Sequence, residues 1–318
     1  MNSWRKRVKA WREIPWISFA LSRSVWPLYR CATQMASRVP WWIRVNGGTV
    51  DFDGIQLVFP ANVGIAYCTL GWWQGAAGYE PATWRVMKNY FQKADAFWDV
   101  GSNIVLYAAL ACKINPALKV QAFEPVPSLA AANRLFQEAN RTRTEVRQLA
   151  VSSHGNGAEI AIRKYDDLTE AEPTSTLEKN VDLSPGATTE QVAVETVALD
   201  VLGDGLQAGM RLFIKIDVEG HENSVLQGAK RLLATHRPVI VCEILPGVAK
   251  TGEISSILIA AQYDAFAVCR EGIFRIAWRD LDKQRGYTDY LLIPREMVDS
   301  NDHYFSFDAM PDWRPPAP

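Results

Sequence analysis

The 318-residue chain has few cysteines, and they form no pairing pattern. Its five cysteines are scattered and none of them makes a C-x-x-C pair, so neither a zinc site nor a disulfide framework is expected. The chain also lacks a Walker loop, a G-x-S-x-G turn and an H-E-x-x-H pair, which argues against P-loop nucleotidases, α/β-hydrolases and zinc proteases of the corresponding classes. A formal charge of −1 and 48% hydrophobic residues are typical of a soluble globular protein, and the scattered cysteines fit a reducing compartment best.

Long apolar runs are missing from the N-terminal end. The longest uncharged run among the first fifty residues, 14–22, is much shorter than the roughly 20 apolar residues that span a bilayer. No small-residue cleavage site follows it. We therefore expect neither a transmembrane helix nor a signal peptide, and a cytoplasmic location.

The same end of the chain is rich in basic and aromatic residues. Residues 1–50 hold nine Lys or Arg, one acidic residue, and six of the twelve Trp. Two interpretations stay open: helices whose Trp pack on the domain behind them, or a peripheral contact of the first 45 residues with an anionic membrane surface or partner. A nucleic-acid partner is not expected, since the rest of the chain is acidic and supplies no basic groove.

Strand-like and helix-like segments alternate from residue 81 onward, after a hairpin predicted at 50–59 with its turn at Asp53–Gly54. The pattern predicts an α/β fold: a doubly wound, mostly parallel seven-stranded sheet with an N-terminal helical extension. The expected divisions are 1–48 (extension), 49–80 (hairpin and linker), 81–296 (main domain) and 297–318 (tail). Expected strands are 96–100, 120–123, 144–151, 192–197, 212–216, 238–242, 265–269 and 290–293, and expected helices are 81–91, 104–113, 127–139, 222–233 and 254–261, with an irregular insertion at 152–190.

The end of the first strand carries a ligand-loop pattern. Asp99, Gly101 and Asn103 form a strand-to-helix turn, and Glu124 ends the second strand 25 residues after Asp99, where a carboxylate holds ribose hydroxyls in sheets of this type. No G-x-G-x-x-G follows, and an acid in the loop repels a pyrophosphate. An ammonium group is favoured instead, which indicates S-adenosylmethionine and methyl transfer.

A second polar cluster follows the strand at 212–216. Asp217, Glu219, His221 and Glu222 leave that strand within six residues, and Glu243 ends a neighbouring strand. For oxygen methylation a base must take the hydroxyl proton. This base would be His221 or an acidic side chain whose pKa is raised by burial. Alternatively, Glu219 and Glu222 cap the following helix. A divalent metal on Asp217, Glu219 and Glu243 is compatible with these residue types but not required, and no metal is expected.

Five runs resemble, in order and spacing, the FkbM-type family of S-adenosylmethionine-dependent methyltransferases, over about residues 80–295. They are FWDVGSNIVLY, QAFEPVPS, LAVSSHGNG, LFIKIDVEGHENSVLQGAKRLL and PVIVCEIL. The resemblance implies a class I methyltransferase fold. It also implies a cofactor site made of Asp99, Gly101, Ser102, Asn103, Glu124, Pro125 and Ala150, and a catalytic set made of Asp217, Glu219 and His221, with Asp217 nearest the transferred methyl group. The chain departs from the family pattern at Val105, where a further glycine is usual.

The expected function is therefore methylation of a hydroxyl on a sugar, a glycolipid or polysaccharide, or a secondary metabolite. The acceptor would be a small molecule or a glycan, and the basic N-terminus favours a lipid-linked glycan. The N/D-P-P-Y/F motif of enzymes that methylate nucleic-acid bases is missing, which argues against that class. The alternative, motivated by Val105, is a binding or scaffold protein that keeps the methyltransferase fold without catalysis. No oligomeric state is predicted.

Overall fold

The computed structural model describes residues 45–155, 157–165, 175–176, 187–245, 247–281 and 287–299. Nearly all of the predicted extension (1–48), most of the predicted tail (297–318) and the proposed peripheral contact lie outside these residues. Among the helices that are described, none has the length and apolar character needed to cross a membrane.

The strands are β1 (Gly48–Phe52), β2 (Ile55–Phe59), β3 (Ala96–Val100), β4 (Lys119–Phe123), β5 (Glu145–Arg147), β6 (Ala150–Val151), β7 (Ala158–Tyr165), β8 (Ser175–Thr176), β9 (Ala187–Val194), β10 (Thr196–Val197), β11 (Leu212–Ile216), β12 (Val239–Glu243), β13 (Tyr263–Val268), β14 (Ile273–Ile276) and β15 (Asp289–Pro294). The helices are α1 (Ile65–Gln74), α2 (Pro81–Lys93), α3 (Leu106–Ile114), α4 (Pro127–Asn140), α5 (Leu199–Gly203), α6 (Glu222–Gln227), α7 (Lys230–Thr235), α8 (Thr251–Ala260) and α9 (Arg295–Asp299). Short 3-10 turns lie at Gly75–Ala77 and Trp278–Asp280.

An eight-stranded sheet in the order β14-β13-β15-β12-β11-β3-β4-β5 forms the centre of the fold. Neighbours from β12 to β5 pair in parallel, whereas β15 pairs antiparallel with both β12 and β13. The chain runs outward from β3 to β5 and then returns to β11 beside β3, which is a doubly wound topology with its switch point between β3 and β11. The predicted fold class is confirmed, and the structure adds β14 as an eighth, antiparallel edge strand.

Side chains on both faces of the central strands are buried. Every residue of β3 and β11 is buried, as expected of parallel strands covered by helices on both sides. On one face the rings of Phe91 and Phe97 lie 4.8 Å apart, and those of Phe97 and Phe213 lie 5.6 Å apart. This aromatic contact packs α2 against β3 and β11, the two strands whose carboxyl ends carry the polar loops.

The N-terminal hairpin also belongs to this core. β1 and β2 pair antiparallel through a turn at Asp53 and Gly54, both with positive φ (58° and 85°), which is the geometry that favours an Asp-Gly pair. The predicted hairpin is confirmed, whereas α1, which follows it, was not predicted. Buried residues of the hairpin belong to the same apolar cluster as those of α2 and β3. The division of the chain at residue 81 stays a prediction.

Several predicted segments differ from the structure. The predicted strand 144–151 is two strands, β5 and β6, in different sheets, and the predicted strand 192–197 is likewise divided between β9 and β10. In the predicted insertion, β7, β8 and β9 form a three-stranded antiparallel sheet. The predicted helix at 104–113 begins two residues later, at Leu106, because Val105 has a left-handed backbone.

The predicted helix at 222–233 is interrupted at Gly228. The Gly228 carbonyl accepts a hydrogen bond from the Asp200 N–H (2.7 Å) instead of continuing the helical ladder. The Asp200 carboxylate accepts bonds from the N–H groups of Arg231 (3.2 Å) and Leu232 (2.8 Å), which starts a new helix, α7, by capping its first turn. These contacts are distant in sequence, so helical periodicity does not reveal them.

Gly228→Ala should destabilise the fold. A Cβ at this position would lie 2.2 Å from the Ser152 carbonyl oxygen and 3.0 Å from the Ser153 Cα, and backbone atoms cannot rotate away. We expect a loss of about 1–3 kcal/mol in the free energy of unfolding, measured by urea denaturation. The matched control is Gly252→Ala in α8, where nothing lies within 4 Å of the added Cβ. A Gly228→Ala variant as stable as this control would contradict the packing described here.

Candidate active site

A pocket of about 1080 Å³, part of it open to solvent, lies over the carboxyl ends of β3, β4 and β11 at the switch point. Ligands bind at this place in open α/β sheets. All ten predicted site residues line it: Asp99, Gly101, Ser102, Asn103, Glu124, Pro125, Ala150, Asp217, Glu219 and His221. Glu243 lines it too, whereas Glu222 does not. The structure thus brings the two predicted sets together, and their individual roles stay predictions.

The floor of the pocket is the crossing of two loops. The N–H groups of Gly101 and Ser102 donate to the Phe123 carbonyl (3.0 and 3.2 Å), and the Asp217 N–H donates to the Val100 carbonyl (2.9 Å). Gly101 has φ of 79°, and a Cβ on it would lie 1.8 Å from the Asp217 carbonyl oxygen. Only glycine fits this crossing, so the glycine of the loop serves loop–loop contact in addition to any ligand.

Glu124 fixes the shape of the first loop. Its Oε2 accepts a hydrogen bond from the Asn103 N–H (2.8 Å) and its Oε1 accepts one from the Val126 N–H (2.9 Å). Burial raises the pKa of Glu124 to about 7, against the effect of these two bonds. A carboxylate has about four acceptor positions, so both oxygens keep capacity for the hydroxyls of a ligand.

Three buried polar atoms of the loop have no hydrogen-bond partner in the structure: Asp99 Oδ2, Ser102 Oγ and Asn103 Oδ1. Leaving a buried polar atom unpaired costs about 1–3 kcal/mol, so such atoms in a pocket wall indicate where ligand polar groups bind. Burial also raises the pKa of Asp99 to about 7, with the nearby Lys215 acting in the opposite direction. Together with Glu124, these groups fit the ammonium and ribose of S-adenosylmethionine, so the residues present are compatible with that cofactor.

Val105 has a left-handed backbone conformation (φ 54°, ψ 33°), which explains the glycine usual here in the resembled family. Its side chain is completely buried in the apolar cluster around α2 and α3, and it is not among the residues that line the pocket. The extra side chain therefore occupies core volume and takes no space from a ligand.

A buried ion pair that the sequence analysis missed lies beside this loop. Lys215 on β11 is 4% exposed, and its Nζ lies 2.6 Å from Asp217 Oδ2 and 5.2 Å from the centre of the Tyr107 ring. Burial alone would lower the pKa of Lys215, but the carboxylates of Asp217, Glu80 and Asp99 outweigh it and hold the pKa well above its usual range. A lysine inside an otherwise apolar strand was the available signal, because buried lysines are almost always paired.

The remaining groups of the second cluster have distinct surroundings. His221 Nε2 lies 3.0 Å from Ser152 Oγ, which fixes the orientation of the ring. Glu222 is completely buried, and its Oε1 accepts a bond from the Gly220 N–H (3.0 Å), so it supports the turn before α6. The side chain at the N-cap position, His221, makes no capping hydrogen bond to α6, and the predicted capping role of Glu219 and Glu222 stays a prediction. At the end of β12, burial and the adjacent Asp217 raise the pKa of Glu243 well above its usual range.

Aromatic residues also line the pocket. Tyr67 on α1 and Tyr79 after it are in edge contact with ring centres 4.8 Å apart, and Tyr79 lies 6.2 Å from Tyr107. The Tyr107 hydroxyl donates to Glu80 Oε2 (2.8 Å). No motif or spacing in the sequence identifies this wall, because residues 67–80 reach the pocket only through tertiary packing. In the part of the chain that the structure describes, no group of three His, Cys, Asp or Glu is arranged to hold a metal ion.

A doubly wound sheet with an antiparallel β15, and a polar pocket at its switch point, define the class I methyltransferase fold. The chain belongs to the FkbM methyltransferase family, because the family model described as the methyltransferase FkbM domain matches residues 99–265, just over half of the chain.

Two curated relatives and one solved structure give the extent of the similarity. The chain is 29% identical over 164 residues to hexuronic acid methyltransferase AglP of Haloferax volcanii, covering 52% of this chain and 62% of AglP. It is 28% identical over 185 residues to 31-O-demethyl-FK506 methyltransferase FkbM of Streptomyces tacrolimicus, covering 52% of this chain and 70% of that protein. The crystal structure of methyltransferase FkbM from Methylobacillus flagellatus KT has 16% identity and a TM-score of 0.37, over 63% of this chain and 43% of that one. The similarity thus spans less than two thirds of AglP.

The stability of the ligand-free protein should fall as pH rises from about 5 to 8. Burial raises the pKa values of Asp99, Glu124 and Glu222 to about 7, so between the unfolded pKa values near 4 and pH 7 the folded chain binds more protons than the unfolded chain. Each such proton lowers the free energy of unfolding by about 1.4 kcal/mol per pH unit. Thermal midpoints at pH 5 and pH 8 test this, and a higher midpoint at pH 8 would contradict it. Glu222→Gln, which is outside the pocket, should make the dependence shallower.

Proposed function

We propose that the protein is an S-adenosylmethionine-dependent O-methyltransferase whose acceptor is a hydroxyl on a sugar, a glycolipid or polysaccharide, or a secondary metabolite. The observation that carries the proposal is the set of unpartnered buried atoms on Asp99, Ser102 and Asn103 beside Glu124. We call these four residues the cofactor cradle, because their oxygens can accept hydrogen bonds from a ligand. The loop that carries the first three of them lacks the glycine motif that binds a pyrophosphate. The cofactor's net positive charge suits such a cradle.

The relatives support the choice of acceptor. One is named for methylation of a hexuronic acid, which is a sugar acid, and the other for a methyl group on an oxygen of FK506. The second name specifies an oxygen as the acceptor atom, the first does not say which group of the sugar acid is methylated, and neither selects an acceptor for this chain. The binding or scaffold alternative was motivated by a side chain at position 105, and that side chain is in the core.

In the proposed reaction, the bound cofactor supplies a methyl group on a sulfonium. Held by Asp99, Ser102, Asn103 and Glu124, it would give this methyl group to the acceptor oxygen and leave as a neutral thioether, and the hydroxyl proton would pass to a base. Asp217, Glu219 and His221 line the same pocket and form the group from which that base comes. Lys215 Nζ lies 2.6 Å from Asp217 Oδ2. This contact positions the other oxygen of the Asp217 carboxylate, Oδ1. Correct positioning of acceptor and base provides much of the rate enhancement in reactions of this kind.

Glu124→Gln should weaken S-adenosylmethionine binding. The amide replaces one acceptor oxygen by a donor next to the N–H of Asn103 or Val126, so the loop loses one anchor and a ribose hydroxyl loses a charged acceptor. We expect the dissociation constant measured by calorimetry to rise about tenfold or more. Glu145→Gln on β5, an exposed carboxylate that accepts a hydrogen bond from the Gln121 side chain (2.8 Å), is the matched control. A constant within twofold of the wild-type value in Glu124→Gln would count against the cofactor site.

Asp217→Asn should reduce turnover more than stability. Asn keeps an acceptor for the Lys215 ammonium but cannot take a proton, so methyl transfer at saturating cofactor should fall at least tenfold. Transfer is measured by mass spectrometry of glycan and lipid extracts incubated with the protein, locating the added methyl on a hydroxyl oxygen. The control is Asp95→Asn, which breaks the Asp95–Arg211 pair (2.8 Å) just before the amino ends of β3 and β11, away from the pocket at their carboxyl ends. Equal transfer by Asp217→Asn and wild type would refute this role.

A further inference from the structure

Part of the pocket is built by residues that precede the matched family domain. Tyr67, Tyr79 and Glu80 all line the pocket, and the family match begins only at residue 99. The side chains of Tyr67 and Tyr79 are hydrogen-bonded to each other, and Glu80 accepts the Tyr107 hydroxyl at 2.8 Å. We call Tyr67, Tyr79, Glu80 and Tyr107 the acceptor wall.

The wall combines ring surfaces with hydroxyl groups that stay neutral. Burial raises the pKa values of Tyr67, Tyr79 and Tyr107 above their usual range, so none of them is ionised near neutral pH. A tyrosine offers an apolar face and a hydroxyl that both donates and accepts. Such a surface suits a ring with carbon–hydrogen faces and several hydroxyls.

The charge on the pocket limits what can lie against this wall. Six carboxyl groups line the pocket: Glu80, Asp99, Glu124, Asp217, Glu219 and Glu243. Among the described lining residues, Lys215 is the only lysine or arginine, and it is already paired with Asp217 at 2.6 Å. Protonation of some carboxyl groups reduces the negative charge but supplies no positive one. Among the described lining residues, an anionic acceptor would therefore find no lysine or arginine that is not already paired with a carboxylate.

The carboxyl groups also include an acceptor with unused capacity. Asp99 is 2% exposed and its Oδ2 has no partner, which indicates that this pocket receives hydrogen-bond donors from a ligand. Cofactor ammonium and acceptor hydroxyls both supply donors, whereas a carboxylate on the acceptor supplies none. Proteins commonly reject a ligand by placing a charge of the same sign against it with no compensating partner. The carboxylates of this pocket would act in this way on a carboxylate of the acceptor.

Resting on the proposed function, we infer that the acceptor wall selects an uncharged, polyhydroxylated ring and rejects its anionic counterpart, so that this chain would differ in acceptor charge from the relative AglP, which is named for a hexuronic acid. The selecting residue is Glu80, because it contributes a carboxylate from outside the family domain and contacts no residue of the cofactor cradle in the hydrogen bonds described. Glu80 is thus a specificity-determining residue of the acceptor site.

The test compares two probes that differ in one group: p-nitrophenyl β-glucopyranoside and p-nitrophenyl β-glucuronide. Binding of each to the full chain saturated with S-adenosylhomocysteine is measured by saturation-transfer NMR. We expect the neutral probe to bind at least fivefold more tightly than the anionic one. Glu80→Gln, which keeps an oxygen to accept the Tyr107 hydroxyl, should reduce that ratio at least threefold. Glu138→Gln, an exposed carboxylate on α4, should leave it unchanged.

Calorimetry with S-adenosylhomocysteine alone separates this inference from the proposed function. A wild-type chain that binds no S-adenosylhomocysteine overturns the proposed function. A chain that binds it but prefers the glucuronide, binds both probes equally, or binds neither, overturns the assignment of the wall. An unchanged probe ratio in Glu80→Gln overturns the role of Glu80.

Discussion

The contact between the loops after β3 and β11 is the constraint on which the candidate site depends. Asp217 donates its N–H to Val100, and Gly101 lies directly against the Asp217 carbonyl with no room for a Cβ. Since β3 and β11 are fully buried neighbours, this crossing is at the topological switch point. It sets the separation between the cradle on one loop and the catalytic candidates on the other.

Burial of charge is the main energetic consequence of that arrangement. Asp99, Glu124 and Lys215 are all less than a tenth exposed, and desolvation of such groups is costly unless they are paired. Lys215 is paired with Asp217, and Glu124 with two backbone N–H groups, but Asp99 keeps an unpaired oxygen. Two of these three buried groups are therefore paired, and the third leaves a carboxylate oxygen without a hydrogen-bond partner. This is expected of a pocket adapted to a cationic ligand.

Local sequence signals were enough to place the loops but not the wall. The acids and glycines at strand ends follow from short patterns, and parallel strands bring their carboxyl ends to one edge, so Asp99, Glu124 and Asp217 converge. Tyr67 and Tyr79 have no such signal, because α1 reaches the pocket through packing on the hairpin. Gly228 shows the same limit, since its helix is interrupted by Asp200, a residue 28 positions earlier in the chain.

Val105 shows how a departure from a family pattern is absorbed. A β-branched residue with a left-handed backbone costs about 1–3 kcal/mol, and complete burial of a valine side chain contributes about 1.5–3 kcal/mol. The two effects are of similar size, so the residue is tolerated because its side chain points into the core. The Val105 N–H still donates to the Ser102 carbonyl at 2.8 Å, which keeps the loop turn intact. The substitution therefore changes how the loop is supported and leaves the polar atoms that face the pocket in place.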